Sequence, residues 1–251
     1  MSLTSDATAA TIKFVIGLGL ANYTAFATMP ETMMQKLQAP TGSYNTYIFG
    51  LLATSGLTYY IFLGSLVFGL TEDWTVAGSL SLAPWILLKA SNLVTKKATK
   101  VGYPMKSDIY PLTYALATTA ACCLARSSPI TERLSTGFAY LLVLSGTSAT
   151  IAPSNLCKAW GGSLEEMLKA EPVILTSLRS HGLGMVRTGS AVLAVGNYGM
   201  PVAQAFGYTS FLTLAMMAVP KLELSEKKKL SNGILVFGAL HLMVIVATLY
   251  V

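Results

Sequence analysis

The chain has 251 residues, of which 53% are hydrophobic and only 11% charged, and its net charge is +6. A soluble domain carries about 25% charged residues, so this chain has too few to cover a water-facing surface. Its bases fall between apolar stretches, which ascribes the positive charge to membrane topology and anionic lipid and argues against nucleic-acid binding.

A helix that crosses a bilayer needs about 20 mostly apolar residues. The first such stretch, Ile12–Met29, follows "MSLTSDATAATIK" with no cleavage site behind it and reads as a retained span. Tyr47–Leu70, Thr75–Val94 and Ile109–Ala125 complete the first half. Thr136–Ala152, His181–Tyr198, Val202–Val219 and Asn232–Val251 complete the second. No stretch alternates as a barrel strand does, and hydrocarbon leaves helices as the way across. The expected fold is therefore an all-α integral membrane protein with eight spans and short interfacial helices.

Eight spans place both termini and the even connections on one face, with Lys13, Arg126 and Arg133. The odd connections carry Lys36, then Lys96, Lys97, Lys100 and Lys106, then Lys158, Lys169 and Arg179, then Lys221 and Lys227 to Lys229. Positive charge accumulates on the cytoplasmic side or its organellar equivalent, so both termini are expected on the non-cytoplasmic, lumenal or intermembrane side. Plasma, mitochondrial inner and thylakoid membranes all fit this pattern.

The two halves, residues 1–126 and 127–251, read as one four-helix unit written twice. Met29-Pro30 and Ala152-Pro153 close the opening span of each, and "ETMMQKLQAP" and "LEEMLKAEP" follow. "FGLLATSG" then aligns with "LGMVRTGS", pairing Gly50 with Gly184 and Thr54 with Thr188. An even number of helices per unit gives tandem parallel repeats related by an axis along the membrane normal. In "GGSLEEMLKAEP", Ser163 and Glu166 form a capping box, with Trp160 as an anchor, which predicts an interfacial helix on the basic side. Small residues four apart, among them Ala117, Ala121 and Ala125, and Ala203 and Gly207, are candidates for close helix packing.

Ionisable groups inside a bilayer are functional candidates by default. Arg187 lies about 9 Å along its helix from His181, and with Arg179 it forms a cationic strip that the first half lacks. These three are the candidate ligand or lipid-binding residues. The expected partners of Arg187 are an acidic lipid or cofactor group, helix-end carbonyls, or Glu171. Lys89 lies near the basic end of its span, where it can snorkel. His241 lies about 13 Å into the last helix, as a core histidine or as a ligand to chlorophyll or haem. No phosphate loop, HExxH, CxxC or acidic metal cluster is present, and Cys122, Cys123 and Cys157 have no metal or redox spacing. Two functions remain: a non-enzymatic subunit of a larger membrane complex that binds lipid or a hydrophobic cofactor, or a transporter or channel with Thr188, Asn197 and Gln204 lining a site.

Overall fold

Proline and glycine mark most of the boundaries between helices. The computed structural model describes residues 2–36, 43–96, 106–153, 172–223 and 232–249, and these are helical with no strand among them. Helix α1 (Ser2–Thr28) ends ahead of Pro30, since a residue before proline is pushed out of the helical region. Helix α2 (Pro30–Lys36) then starts on that proline, and α3 (Ser43–Val67) follows. Gly69 takes a left-handed backbone (φ 70°), which lets the Leu70 N–H reach back to the Ser65 carbonyl at 2.9 Å and close α3.

The expected span Thr75–Val94 is two helices, α4 (Trp74–Ser81) and α5 (Ala83–Thr95). Pro84 has no N–H to continue the ladder, and the Leu82 N–H bonds the Ser79 carbonyl three residues back instead. After α6 (Lys106–Leu124), which contains Pro111, comes α7 (Pro129–Ile151). Ser128 and Thr131 cap α7 reciprocally, with Pro129 at its first position. Helix α8 (Pro172–Gly196) begins nine residues earlier than the expected span, so His181 is inside it rather than at its surface end. Gly199, also left-handed (φ 61°), turns the chain into α9 (Val202–Glu223), and α10 (Asn232–Leu249) follows.

Among the described residues, three helical segments are long and apolar enough to cross a membrane: Asp6–Thr28, Gly50–Val67 and Pro129–Ile151. Ile109–Leu124 and Val236–Thr248 are apolar but shorter. Of the other expected spans, Thr75–Val94 is broken at Leu82 into α4 and α5, and α8 carries serine, threonine, histidine and arginine along its length.

Helices α3 and α8 pack on each other at the centre. Helices α1, α4 and α5 surround α3, while α7 and α9 surround α8. At the periphery α10 packs on α9 and touches α1, and α6 packs on α5 and touches α7.

The interior is mixed, with an apolar cluster that includes Ile16, Phe62, Leu63, Phe206 and Val244 beside buried polar groups, and many large apolar side chains face outward. The buried residues of α5 are Trp85, Lys89 and Asn92, one face at i, i+4 and i+7, whereas Leu87 and Val94 on its outside are 70% and 84% exposed. Elsewhere Thr54, Ser55, Thr58, Thr209, Ser210 and Thr213 are buried while Phe14, Leu144 and Leu242 face outward.

Small residues do make the tight contacts, but not all those expected. Ala117 and Ala125 are exposed, and α6 packs through Ala115, Thr118 and Cys122. Gly207 lies against Thr248, so α9 meets α10 there as its spacing implies. The closest approach joins α7 to α8, where Gly146 and Gly182 face one another and leave no room for a Cβ on either.

On the face that holds the α3–α4 and α6–α7 turns, Asp73 caps α4. It accepts from the Thr75 N–H and hydroxyl, each at 2.8 Å, and from the Ser127 hydroxyl. Partial burial opposes ionisation, but these hydrogen bonds outweigh it and hold the carboxyl below its ordinary value of 3.8. A depressed folded pKa gives stability that is present above the unfolded pKa and lost as pH falls through the folded one. Asp73→Ala should therefore cost about 1 kcal/mol at pH 7. In thermal unfolding scans the gap to the parent should narrow below about pH 4.

Candidate functional site

The polar interior has its densest cluster around Arg187, the largest fully buried side chain among the described residues. Its guanidinium carbon stands 4.0 Å from the ring centroid of Tyr59, 5.3 Å from Tyr60 and 6.0 Å from Tyr23. Nη1 donates to the Thr213 hydroxyl at 2.8 Å. Nε and Nη2 make no aligned hydrogen bond and are surrounded by these aromatic rings, whose faces attract a cation. Two glycines make the cage possible. The Tyr23 ring lies on Gly56 and the Tyr60 ring on Gly19, where any Cβ would collide with the ring.

The hydrogen-bond directions can be worked out from spent donors. The Ser210 hydroxyl donates to the Phe206 carbonyl at 2.8 Å, so towards His241 it can only accept, and Nδ1 of His241 carries the proton (3.0 Å). Nε2 is then an acceptor and takes the Tyr60 hydroxyl at 2.8 Å. Thr209 likewise spends its proton on the Ala205 carbonyl at 2.7 Å and accepts from the Tyr59 hydroxyl at 2.6 Å. Both phenol protons therefore point into hydrogen bonds on α9 and α10, leaving the oxygen lone pairs available to the cation. Both ring nitrogens of His241 are engaged by these hydroxyls, and the residue is fully buried.

The three residues of the cationic strip expected on α8 stand in different surroundings. His181 is 2% exposed and its ring lies 5.9 Å from that of Trp85 on α5, away from the tyrosine cage. Lys89, expected to snorkel, is 5% exposed, with Nζ 5.8 Å from the Trp85 ring. Arg179 is half-buried, and its carbonyl lies 3.5 Å from the Thr150 hydroxyl of α7. Asn197 and Gln204 are exposed while Thr188 is buried. Trp160, Ser163, Glu166 and Glu171 lie outside the described residues.

A small, partly open cavity of about 10 Å³, near the size that admits one water, lies between α3, α4, α6, α7 and α8. Thr58, Ser81, Thr118 and Thr188 border it, and each donates its hydroxyl proton to a carbonyl of its own helix. Leu82, Phe138, Leu142 and Val192 complete a lining whose exposed surface is mostly apolar.

The tyrosines were the part that sequence reasoning missed, because a tyrosine in an apolar span reads as filler. The available signal was the pairing of Gly19 and Gly56 with Tyr23 and Tyr60 around a lone arginine that needed solvation. No group of three or more potential metal-binding histidine, cysteine, aspartate or glutamate residues occurs among the described residues. No protein-family description, curated protein or solved structure matches the chain.

Proposed function

We propose that the chain is a non-enzymatic, multi-pass membrane subunit that packs its apolar outside against lipid and larger partner proteins. The observation that carries this reading is the set of large apolar side chains turned outward, Leu87, Val94 and Leu144 among them, over an interior that also holds Lys89, Asn92 and Arg187. Such a surface is stable in hydrocarbon and unstable in water.

Eight spans in two tandem parallel units, residues 1–126 and 127–251, account for several further details. Helices α3 and α8 both end on a left-handed glycine. Thr54 donates to the Gly50 carbonyl as Thr188 does to that of Gly184. The first helix of each unit touches the last helix of the other, α1 with α10 and α7 with α6. The charge distribution places both termini on the less basic face.

The contacts between halves favour a scaffold over a moving carrier. Tyr23, Tyr59 and Tyr60 come from the first half, and Arg187, Thr209 and His241 from the second. Relative motion of the halves would leave a buried cation without its rings, which is expensive. With both nitrogens of His241 engaged, bound lipid is favoured over haem or chlorophyll as the hydrophobic ligand.

One observation favours the transporter reading. The break at Leu82 borders the small cavity between α3, α4, α6, α7 and α8, and broken helices at a repeat interface are where transporters hold substrates. Extraction from the native membrane in mild detergent, followed by size exclusion with full-spectrum absorbance, separates the two readings. Elution with larger proteins is expected; a colourless peak containing this chain alone, with substrate uptake by vesicles carrying it, would favour the transporter.

A further inference from the structure

An open cleft of about 390 Å³ lies on the same face as the Asp73 cap, away from the tyrosine cage. Trp74, Glu132, Arg133, Thr136, Gly196 and Asn197 line it. Its construction is specific. The Trp74 indole lies on Gly196, where a Cβ would strike the ring, so glycine at the end of α8 allows the indole to pack there. The Thr136 hydroxyl donates to the Asn197 side-chain oxygen at 2.9 Å, which ties α7 to the turn after α8 beneath the opening. Glu132 and Arg133, on the first turns of α7, are exposed and border the same cleft.

The cleft thus brings together a carboxylate and an indole, which suit an ammonium group, and a guanidinium, which suits a phosphate. Its lining charges sum to zero, so it gives a purely anionic headgroup no net attraction. Trp74 opens α4 beside the α3–α4 turn, and tryptophan is enriched where a bilayer meets water. The geometry points to a binding site for a zwitterionic phosphate–ammonium group, as in the headgroup of phosphatidylethanolamine or its soluble glycerophospho form. This deepens the lipid-binding part of the reading above and rests on it, since a lipid headgroup reaches the cleft only if this face borders a bilayer.

The test uses the full chain, purified in dodecyl maltoside and stripped of lipid, with native mass spectrometry as the readout. Added dioleoyl phosphatidylethanolamine should be retained as one adduct per chain, at least fivefold over dioleoyl phosphatidylglycerol. The double variant Glu132→Gln, Arg133→Gln should abolish that preference. Gly196→Ala, which displaces the indole without touching a charge, should weaken retention of phosphatidylethanolamine alone. Glycerophosphoethanolamine in solution distinguishes the source: competition at equal concentration assigns the site to the free zwitterion, and weak competition assigns it to the lipid. Equal retention of the two lipids, or a preference unchanged in the double variant, overturns the proposal. Alkaline carbonate extraction tests the membrane reading separately: release of the chain from the pellet would reject that reading whatever the cleft binds.

Discussion

Arg187→Ala should lower the apparent melting temperature in detergent by roughly 10 °C, the effect of losing about 3–5 kcal/mol in a chain of this length. The truncation leaves a void where the largest fully buried side chain stood and removes the cation from three tyrosine rings. Arg187→Met separates volume from charge. Methionine fills much of the same space and adapts to irregular walls, so its cost should stay below about 1.5 kcal/mol. Replacing a buried charged group by an apolar one of similar volume is often neutral. If methionine costs as much as alanine, the charge itself is required and an anion bound near the cage becomes the better account. If alanine costs nothing, Arg187 does not lock the two halves together.

The second large effect belongs to the contact between α7 and α8. Gly182→Leu and Gly146→Leu each place a side chain where the facing helix has backbone atoms, which cannot move aside as a flexible side chain does. Each should cost more than about 3 kcal/mol, the upper end for overpacking, and abolish the folded peak in fluorescence-detected size exclusion. Gly17→Leu on α1 is the control, because a Cβ there meets nothing within 4 Å. It should elute and melt like the parent. Equal loss in all three variants would mean that helix propensity or insertion, and not this contact, controls assembly.

The helical class and several boundaries were legible in the sequence because they follow from local rules. Pro30, Pro129 and Pro172 begin helices, and Gly69 and Gly199 close them. Hydropathy alone misled where tertiary contacts solvate polar groups. Helix α8 looked short because Thr176, Ser177, Arg179 and Ser180 interrupt its apolar run after Leu175, yet Thr176, Ser177 and Ser180 are buried. That extension carries His181 into the interior beside Trp85 and separates it from Arg187. Pro84 was visible as a terminator, but the uninterrupted apolar character around it suggested a single span. The cage was legible only as a set of parts. Tyr23, Tyr59 and Tyr60 come together through glycine spacings on two helices, and no one-dimensional period marks that arrangement.

The outward-facing apolar side chains also bear on how such a chain can be made. Phe14, Leu87, Val94 and Leu144 stay exposed in the folded chain, whereas collapse in water hides such groups and so leads away from this arrangement. In the membrane reading proposed above, helices enter lipid first and associate afterwards, with the polar groups supplying part of the drive to pair. Chain order eases the hardest step. Synthesis from the N-terminus delivers α1 and α3, with all three tyrosines, before α8 emerges with its arginine. The cation can thus move from the translocation machinery into a cage whose walls were laid down earlier, and α9 and α10 close it last.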